Sequence, residues 1–458
     1  MLEKFFQLKQ NRTDVKTEVI AGVTTFMTMA YILVVNPNIL SASGMNPQAI
    51  LIATALASFI GTMCMGLMAN YPFALAPGLG LNAYFAYTVV LGMGYSWQFA
   101  LFAVLVEGVI FIALSLTNIR EAIFDAIPLQ LKKGISVGIG LFVAFIGLEN
   151  AGIVVNSDAT LVTVTKFSGE NFRTTGIAAI LALVGLMIIA ILHVKKVKGS
   201  ILIGIVATWI IGIICQLTGL YKGASLLPSW SSFSFSAIGE TFGACFSAEA
   251  FKNIKILDFI VIMFSFLFVD VFDTLGTLIG CASKADMLDK DGKLPRIKPA
   301  LLSDAIATCA GAVLGTSTTT TFVESSAGVS EGGRTGLSAV VTGLLFLVSV
   351  ALSPIFIAIP SFATAPALIF VGFLMFSAVV DIKFDDLTEA IPAYIALLSM
   401  PLLYSISDGI AFGTVAYVII NLCTGKAKKV SPLMYVLAIL FILKYVFLYK
   451  ILQFQKHR

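Results

Sequence analysis

Residues 315–336 read GTSTTTTFVESSAGVSEGGRTG, a polar run between two long apolar segments. Four consecutive β-branched residues, Thr318 to Thr321, favour extended backbone over helix. Glu324 puts a carboxylate in the middle of the run. The rest of the chain decides what this means. Of its 458 residues 58% are hydrophobic and 12% are charged, about half the ~25% charge of a soluble domain. Apolar windows of about 20 residues recur along nearly the whole length, the signature of a polytopic helical membrane protein. Continuous runs such as ILVVNPNIL (32–40) and AILALVGLMIIAIL (179–192) exclude the alternating pattern of a β-barrel. A carboxylate amid such surroundings costs at least a few kcal/mol if it faces lipid, so it reads as functional.

The net charge of +4 is small and sits in loops, which bears on membrane orientation and not on nucleic acid. The six cysteines show no CxxC spacing, and two histidines do not supply a metal site. The N-terminal stretch MLEKFFQLKQNRTDVKTE is amphipathic and charged, unlike a cleavable signal.

Candidate spans are 17–38, 48–69, 74–91, 96–117, 133–154, 174–193, 199–219, 257–282, 299–315, 317–330, 335–359, 364–381, 388–404 and 407–424. The fold class expected is therefore an all-α polytopic membrane protein with 14 transmembrane segments. A further apolar piece at 431–449 is expected to lie at the interface or to form an extra segment. With the N-terminus cytoplasmic, this count places the basic clusters around Lys9, Lys132, Lys196 and Lys426 on the cytoplasmic side, as the positive-inside rule asks. Arg120 and the run DKDGK at 289–293 fall on that side too, the latter as a solvated turn without the carboxylates of a calcium loop. The hydrophilic stretches 155–173 and 220–256 then fall outside.

Two segments are poor helices. The third, YPFALAPGLGLNAYFAY (71–87), carries Pro72, Pro77, Gly78 and Gly80; the tenth is the threonine run. They are third of the first seven and third of the second seven. Matched interruptions in two halves point to two inverted seven-segment repeats with a binding site between the broken elements. Irregular backbone in a membrane must be buried by protein or line a cavity, so two short extended pieces, each followed by a half-helix, are expected to meet there.

The strongest acidic cluster is FVDVFDTLGTLIG (268–280) in the eighth span. Asp273 and Thr277 share one helix face, and Asp270 is near it. With Glu324, Asp273 is the principal candidate to hold a ligand. Asp270 and Asp304 are read either as direct participants or as supporting hydrogen-bond partners. Glu149 reads as structural or interfacial, and Glu107 is unassigned. GLGLNA (78–83) does not follow a soluble strand and lacks the third glycine of a dinucleotide fingerprint. Around it, Leu79 and Gly80 are candidates for close approach of backbone to a ligand, and Asn82 offers an amide; close helix packing is the alternative. In the first span Thr24, Thr28 and Tyr31 either bond helix carbonyls or reach the site. Phe26, Phe145 and Phe322 are candidates for stacking, and Thr321 and Val323 flank Phe322 in the tenth segment.

TTFMTMAYILVVNP (24–37), APGLGLNAYFAY (76–87), FVDVFDTLGTLIG and the threonine run together resemble the AzgA-like branch of the nucleobase:cation symporter-2 family, over nearly the whole chain. The resemblance implies short antiparallel strands in segments 3 and 10, with the base bound between them and segment 8. It implies a core domain at 17–117 and 257–359, a gate domain at 133–219 and 364–424, and a C-terminal piece at 425–458. By motif, Asp273 and Glu324 match the acidic residues that hydrogen-bond the base. Asp304 resembles a supporting polar position, and Thr277 falls where a related permease has a proton-linked histidine. Substrates of the branch are purine bases, guanine and hypoxanthine or adenine. The implied protein is a homodimer in a bacterial-type plasma membrane, moving its core against its gate in an elevator-like way.

Guanine presents N1–H beside an exocyclic amino group, a donor pair that a carboxylate accepts in bidentate fashion. Adenine instead presents a bare acceptor beside its amino group, which suits a protonated carboxyl. Low dielectric favours the neutral form of a carboxyl group, so binding and proton uptake can be coupled at one site. No cofactor is expected beyond a coupling ion, a proton or alternatively sodium. The rival classes are an anion transporter or channel on the same fold, and a membrane-embedded enzyme. Acidic residues at the site count against the first, and the lack of a nucleophile–base pair counts against the second.

Overall fold

A computed structural model describes residues 2–117, 127–169, 171–230, 234–252, 254–285, 287–288 and 294–456. Arg120 and the DKDGK run lie outside the described residues. Among the described residues eleven helices are long and apolar enough to cross a membrane, and three shorter apolar helices accompany them. In chain order the helices are α1 Leu2–Phe6, α2 Val15–Met29, α3 Ile32–Ser41, α4 Pro47–Cys64, α5 Leu79–Ala83 and α6 Trp97–Ser115. Next come α7 Leu129–Asn150, α8 Ile177–Val194, α9 Ser200–Leu217, α10 Ile256–Lys284, α11 Ile297–Leu314 and α12 Ser325–Ser330. The last are α13 Gly336–Ser349, α14 Ser353–Ile357, α15 Ser361–Phe376, α16 Leu387–Leu402, α17 Ile406–Cys423 and α18 Pro432–Lys456.

Capping residues set several of these starts. Asp14 accepts from the Thr17 N–H at 2.9 Å, and Asn46 accepts from Gln48 at 2.9 Å with Pro47 at the first helical position. Ser96 does the same for α6 and Asp386 for α16. The first span, read as one helix over 17–38, is broken at Ala30–Tyr31 between α2 and α3. Pro37 lies inside α3 and does not end it.

Close approach of small residues sets the packing. Helix α7 lies between α15 and α16: a Cβ on Gly140 would stand 2.8 Å from the Gly372 carbonyl, and one on Gly134 2.6 Å from the Ala393 carbonyl. Helix α13 packs on α2 and α4, and α11 on α4 and α6. The tightest of these seams is Gly336 on Gly66, where a Cβ on Gly336 would fall 1.9 Å from the Gly66 carbonyl oxygen. Gly336→Ala is therefore expected to lower folded yield and midpoint of thermal unfolding, by overpacking worth about 1–3 kcal/mol or more. Gly239→Ala, where a Cβ meets nothing within 4 Å, is expected to leave both unchanged in the same size-exclusion and thermal assays.

Among the described residues the only sheets are two small antiparallel ones. One joins β1 Leu75–Pro77 to β4 Thr319–Thr321, in the third and tenth apolar segments, with Leu75 opposite Thr321, Ala76 opposite Thr320 and Pro77 opposite Thr319. Each strand is followed by a short helix: α5, which widens into i→i+5 turns over Tyr84–Gly92, and the six-residue α12. The second sheet is a hairpin of β2 Val154–Ser157 and β3 Leu161–Val164. It falls in the hydrophilic stretch 155–173, where the sequence reading expects only a connection.

Candidate functional site

The threonine run is held residue by residue. Thr316 accepts from the Asn36 amide of α3 at 2.9 Å, and Ser317 donates to the Asn82 side-chain oxygen of α5. Thr318 donates to Glu107 Oε2 of α6 at 2.7 Å. The Thr319 carbonyl accepts from Thr308 of α11 at 3.1 Å, and the Thr320 hydroxyl meets Thr274 of α10 at 2.7 Å. Every one of these residues is buried. Buried hydroxyls and strand carbonyls need partners, and a different helix supplies each of these five, whereas the Thr319 and Thr321 hydroxyls find none among the described residues.

The sheet has two edges, which in a membrane must not be left bare. On the β1 side Thr62 closes the edge, accepting from Leu75 N–H at 2.9 Å and bonding its carbonyl at 3.2 Å. On the β4 side Thr308 does so. Beyond the strands the ladder continues, with Gly78 N–H bonded to Thr318 carbonyl and Phe322 N–H to Ala74 carbonyl, both at 3.0 Å.

Against this ladder stand two carboxylates. Asp273 of α10 faces Gly78: a Cβ there would lie 3.4 Å from Asp273 Oδ2 and 2.8 Å from Thr320 Cγ2. Only glycine leaves room at this point. Glu324 opens α12, and its Oε1 accepts from the Tyr31 hydroxyl at 2.6 Å. Thr28 bonds the Thr24 and Thr25 carbonyls and reaches the Glu324 carbonyl at 3.4 Å. Asp304 and Glu324 are each within electrostatic reach of Asp273. Among the described residues, neither Asp273 nor Glu324 pairs with a lysine or arginine, and no protein donor reaches Asp273.

Behind Asp273 lies a fully buried cluster. The Thr274 hydroxyl is 3.1 Å from Asp270 Oδ1, 2.9 Å from Asp304 Oδ1 and 2.7 Å from Thr320. Helix α10 thus has two polar faces. Asp270, Thr274, Leu278 and Cys281 are buried against the strands, while Asp273, Gly276, Thr277 and Gly280 are not, and a Cβ on Gly276 or Gly280 would meet nothing within 4 Å. At i, i+3, i+4 and i+7 these last four form one open stripe, running from Asp273 toward the Lys284 end.

The structure thus brings together Asp273, Glu324, Thr28, Asp270, Asp304 and the Thr321 strand, and it places Thr277 on the open stripe. Other candidates stand elsewhere. Gly80 packs on Ile139 and Ile406, as close helix packing would have it. Asn82 is fully buried and spent on Ser317 and the Pro77 carbonyl. Leu79, Thr321 and Phe322 are buried, and Val323 is 54% exposed. Phe26 and Phe145 pack edge-on against Phe346 and Tyr404. Glu149 is exposed and accepts from Tyr404 at 2.7 Å. Sequence reasoning missed Thr274 and the pairing of Tyr31. The i, i+4 spacing of Asp270 and Thr274 was a usable signal for the first.

A family model described as a permease family, Xan_ur_permease, matches residues 16–412. The putative permease MJ0326 of Methanocaldococcus jannaschii is 49% identical, over 98% of both chains. The guanine/hypoxanthine permease PbuO of Bacillus subtilis is 44% identical, over 96% of this chain and 99% of that one. The adenine permease AdeP of Escherichia coli is 41% identical, over 98% and 96%. Among solved structures, the transmembrane domain of a cyanobacterium bicarbonate transporter, BicA, has a TM-score of 0.63 at 16% identity, covering 86% of this chain and 96% of that one. That likeness concerns the fold alone.

Proposed function

This chain belongs to the Xan_ur_permease family, the nucleobase:cation symporter-2 permeases, and from that premise we propose that it imports purine bases, guanine and hypoxanthine above adenine. The observation that carries the reading is Asp273, a carboxylate with no protein donor, set beside a glycine and facing a fixed pair of strands. An acceptor left open in this way suits a ligand edge rich in N–H donors, and an oxopurine has one. Glu324, steadied by Tyr31, supplies the second acceptor. Relatives named as guanine/hypoxanthine and as adenine permeases are both close, so adenine is the alternative. An anion would be repelled by these carboxylates, which disfavours anion transport despite the likeness in fold.

Proton symport is the coupling we favour over sodium. The Thr274 hydroxyl has one hydrogen, and two carboxyl oxygens as well as Thr320 lie within bonding distance. That hydrogen reaches one carboxyl, and a proton held on the other completes the set. Purine uptake is then expected to collapse on addition of a protonophore and to follow the pH gradient; uptake indifferent to both, but dependent on sodium, overturns proton coupling. A competition panel of purine bases and nucleosides against labelled hypoxanthine tests the substrate assignment. Hypoxanthine uptake that guanine does not inhibit would sink it.

The core-and-gate division, the inverted repeat, the elevator motion, the homodimer, and a plasma-membrane location with a cytoplasmic N-terminus belong to the same proposal. Support for the division comes from packing, since α15 and α16 both pack on α7, while α4 packs on α11 and α13 and α11 also packs on α6. The open stripe on α10 is the path we assign to the base between Asp273 and the cytoplasm. Gly276→Trp is expected to stop uptake while folded yield stays normal, because the indole enters space that nothing occupies. Unimpaired uptake by that variant removes the stripe from the path.

A further inference from the structure

On the face that carries the N-terminus, a cavity of about 520 Å³ is lined by Gln10, Asn11, Arg12, Tyr71, Arg296 and Arg334 among others. Its three guanidiniums come from distant parts of the chain. Arg12 precedes α2, Arg296 immediately precedes α11, and Arg334 lies between α12 and α13. Elsewhere among the described residues some basic side chains are spent on acids. Lys198 pairs with Glu331, Lys252 with Glu249, and Lys426 and Lys429 with Asp386. Among the described residues the three arginines of the cavity have no acidic partner, and its described lining contains no acidic side chain. The nearest buried carboxylate, Glu18, is consumed by the N–H groups of Arg334, Thr335 and Ser338 at the start of α13.

The cavity is built and held. Arg334 donates through one guanidinium nitrogen, Nη1, to the Val329 and Gly333 carbonyls at 2.8 Å, which fixes its head at the end of α12. Arg296 lies 4.8 Å from the centroid of the Tyr71 ring. The segment bearing Arg12 is docked, since Phe6 and Leu8 are buried against Leu337 and the Asn70 amide donates to the Phe6 carbonyl at 3.1 Å. Arg12 and Arg296 both hold left-handed backbone, at φ +55° and +57°. Non-glycine residues adopt that conformation at a cost, and such strain gathers where a side chain must be aimed.

We propose that this cavity binds a phosphoryl-bearing anion, either a soluble phosphate ester or the headgroup of an anionic lipid. Planar guanidiniums converging from several sides match phosphoryl oxygens in a way that single lysines do not. The volume is ample for a headgroup or a nucleotide. The bound anion would tie together the lead-in to the first span, the approach to β1, the start of α11 and the exit from α12, so it would brace the cytoplasmic ends of the elements that carry the base site.

The test uses the full chain as wild type, as Arg12→Gln/Arg296→Gln, and as Lys195→Gln/Lys196→Gln, which removes the same charge from an exposed connection. In neutral detergent, calorimetric titration with inorganic pyrophosphate is expected to saturate for the wild type and the lysine variant, and to weaken at least tenfold for the arginine variant. That result assigns a soluble ester. If pyrophosphate does not bind, native mass spectrometry after reconstitution in phosphatidylcholine with phosphatidylglycerol is expected to retain phosphatidylglycerol on the wild type and lose it from the arginine variant, which assigns the lipid. Neither ligand bound, or equal loss in the lysine variant, overturns the proposal. Arg12→Gln alone, whose side chain has no bond to lose, repeats the comparison should the double variant fold poorly.

Discussion

Asp273→Asn is expected to cut purine uptake by about 100-fold while leaving folded yield close to normal. The carboxylate has no protein donor to lose, so its removal strands nothing inside the protein. The loss falls on the ligand. An asparagine keeps one acceptor oxygen and turns an N–H₂ toward a base edge that is itself made of donors. Hydrogen bonds to a charged group contribute about 1.5–3 kcal/mol each, and two decades correspond to about 2.8 kcal/mol. Labelled hypoxanthine uptake in cells lacking other purine permeases, normalised to membrane-inserted protein, measures the effect. Glu324→Gln is expected to fall in the same direction but less far, because the amide oxygen can still accept from Tyr31. If Asp273→Asn and Glu324→Gln both keep normal uptake and affinity, the site has been placed wrongly.

Thr274→Val should act through the fold as well as the function. Valine is nearly isosteric, so packing against β4 is preserved while the hydroxyl is lost. Asp270, Asp304 and Thr320 then lose their common neighbour in a region that no water reaches. A buried hydrogen bond to a charged group is worth about 1.5–3 kcal/mol. With more than one such bond affected, the thermal midpoint of the purified protein is expected to drop by several degrees and uptake to be largely lost. Thr274→Ser, which keeps the hydroxyl, is expected to restore most of both. A valine variant with wild-type midpoint and uptake would show that the cluster neither stabilises the strands nor handles a proton.

The elements with the strongest local signal were the ones legible in advance. Four successive β-branched threonines between helices announce a break, and a proline–glycine run at the matching place in the other half announces its partner. Both became strands, and they pair with each other. Asp273 and Glu324 stood out because ionisable groups are rare in such surroundings. What stayed hidden depends on which way a helix is turned. Helix α10 is apolar nearly all round, so nothing local says that Asp270 and Thr274 are fully buried while Asp273 and Thr277 are left partly open. Tyr31 and Glu324 are 293 residues apart, and the break beside Tyr31 has neither glycine nor proline to mark it. Glu107 had no reading until Thr318 was seen beside it. The β2–β3 hairpin sits in polar, exposed chain where no buried face fixes a pattern.

The order in which the clamp's parts occur along the chain has a bearing on how the protein is made. Asn36, Thr62, Asn82, Glu107, Thr274 and Thr308, which hold the two strands, all precede residue 315, as does Tyr31, which holds Glu324. A ribosome delivering this chain to the membrane therefore presents the threonine run last, after its partners have been inserted. The segment least able to rest alone in lipid never has to wait for the groups that receive it. Moving the run ahead of them, as a circular permutation opened between α9 and α10 would do for α3 to α6, would leave the same final bonds but reverse that sequence of events during biosynthesis.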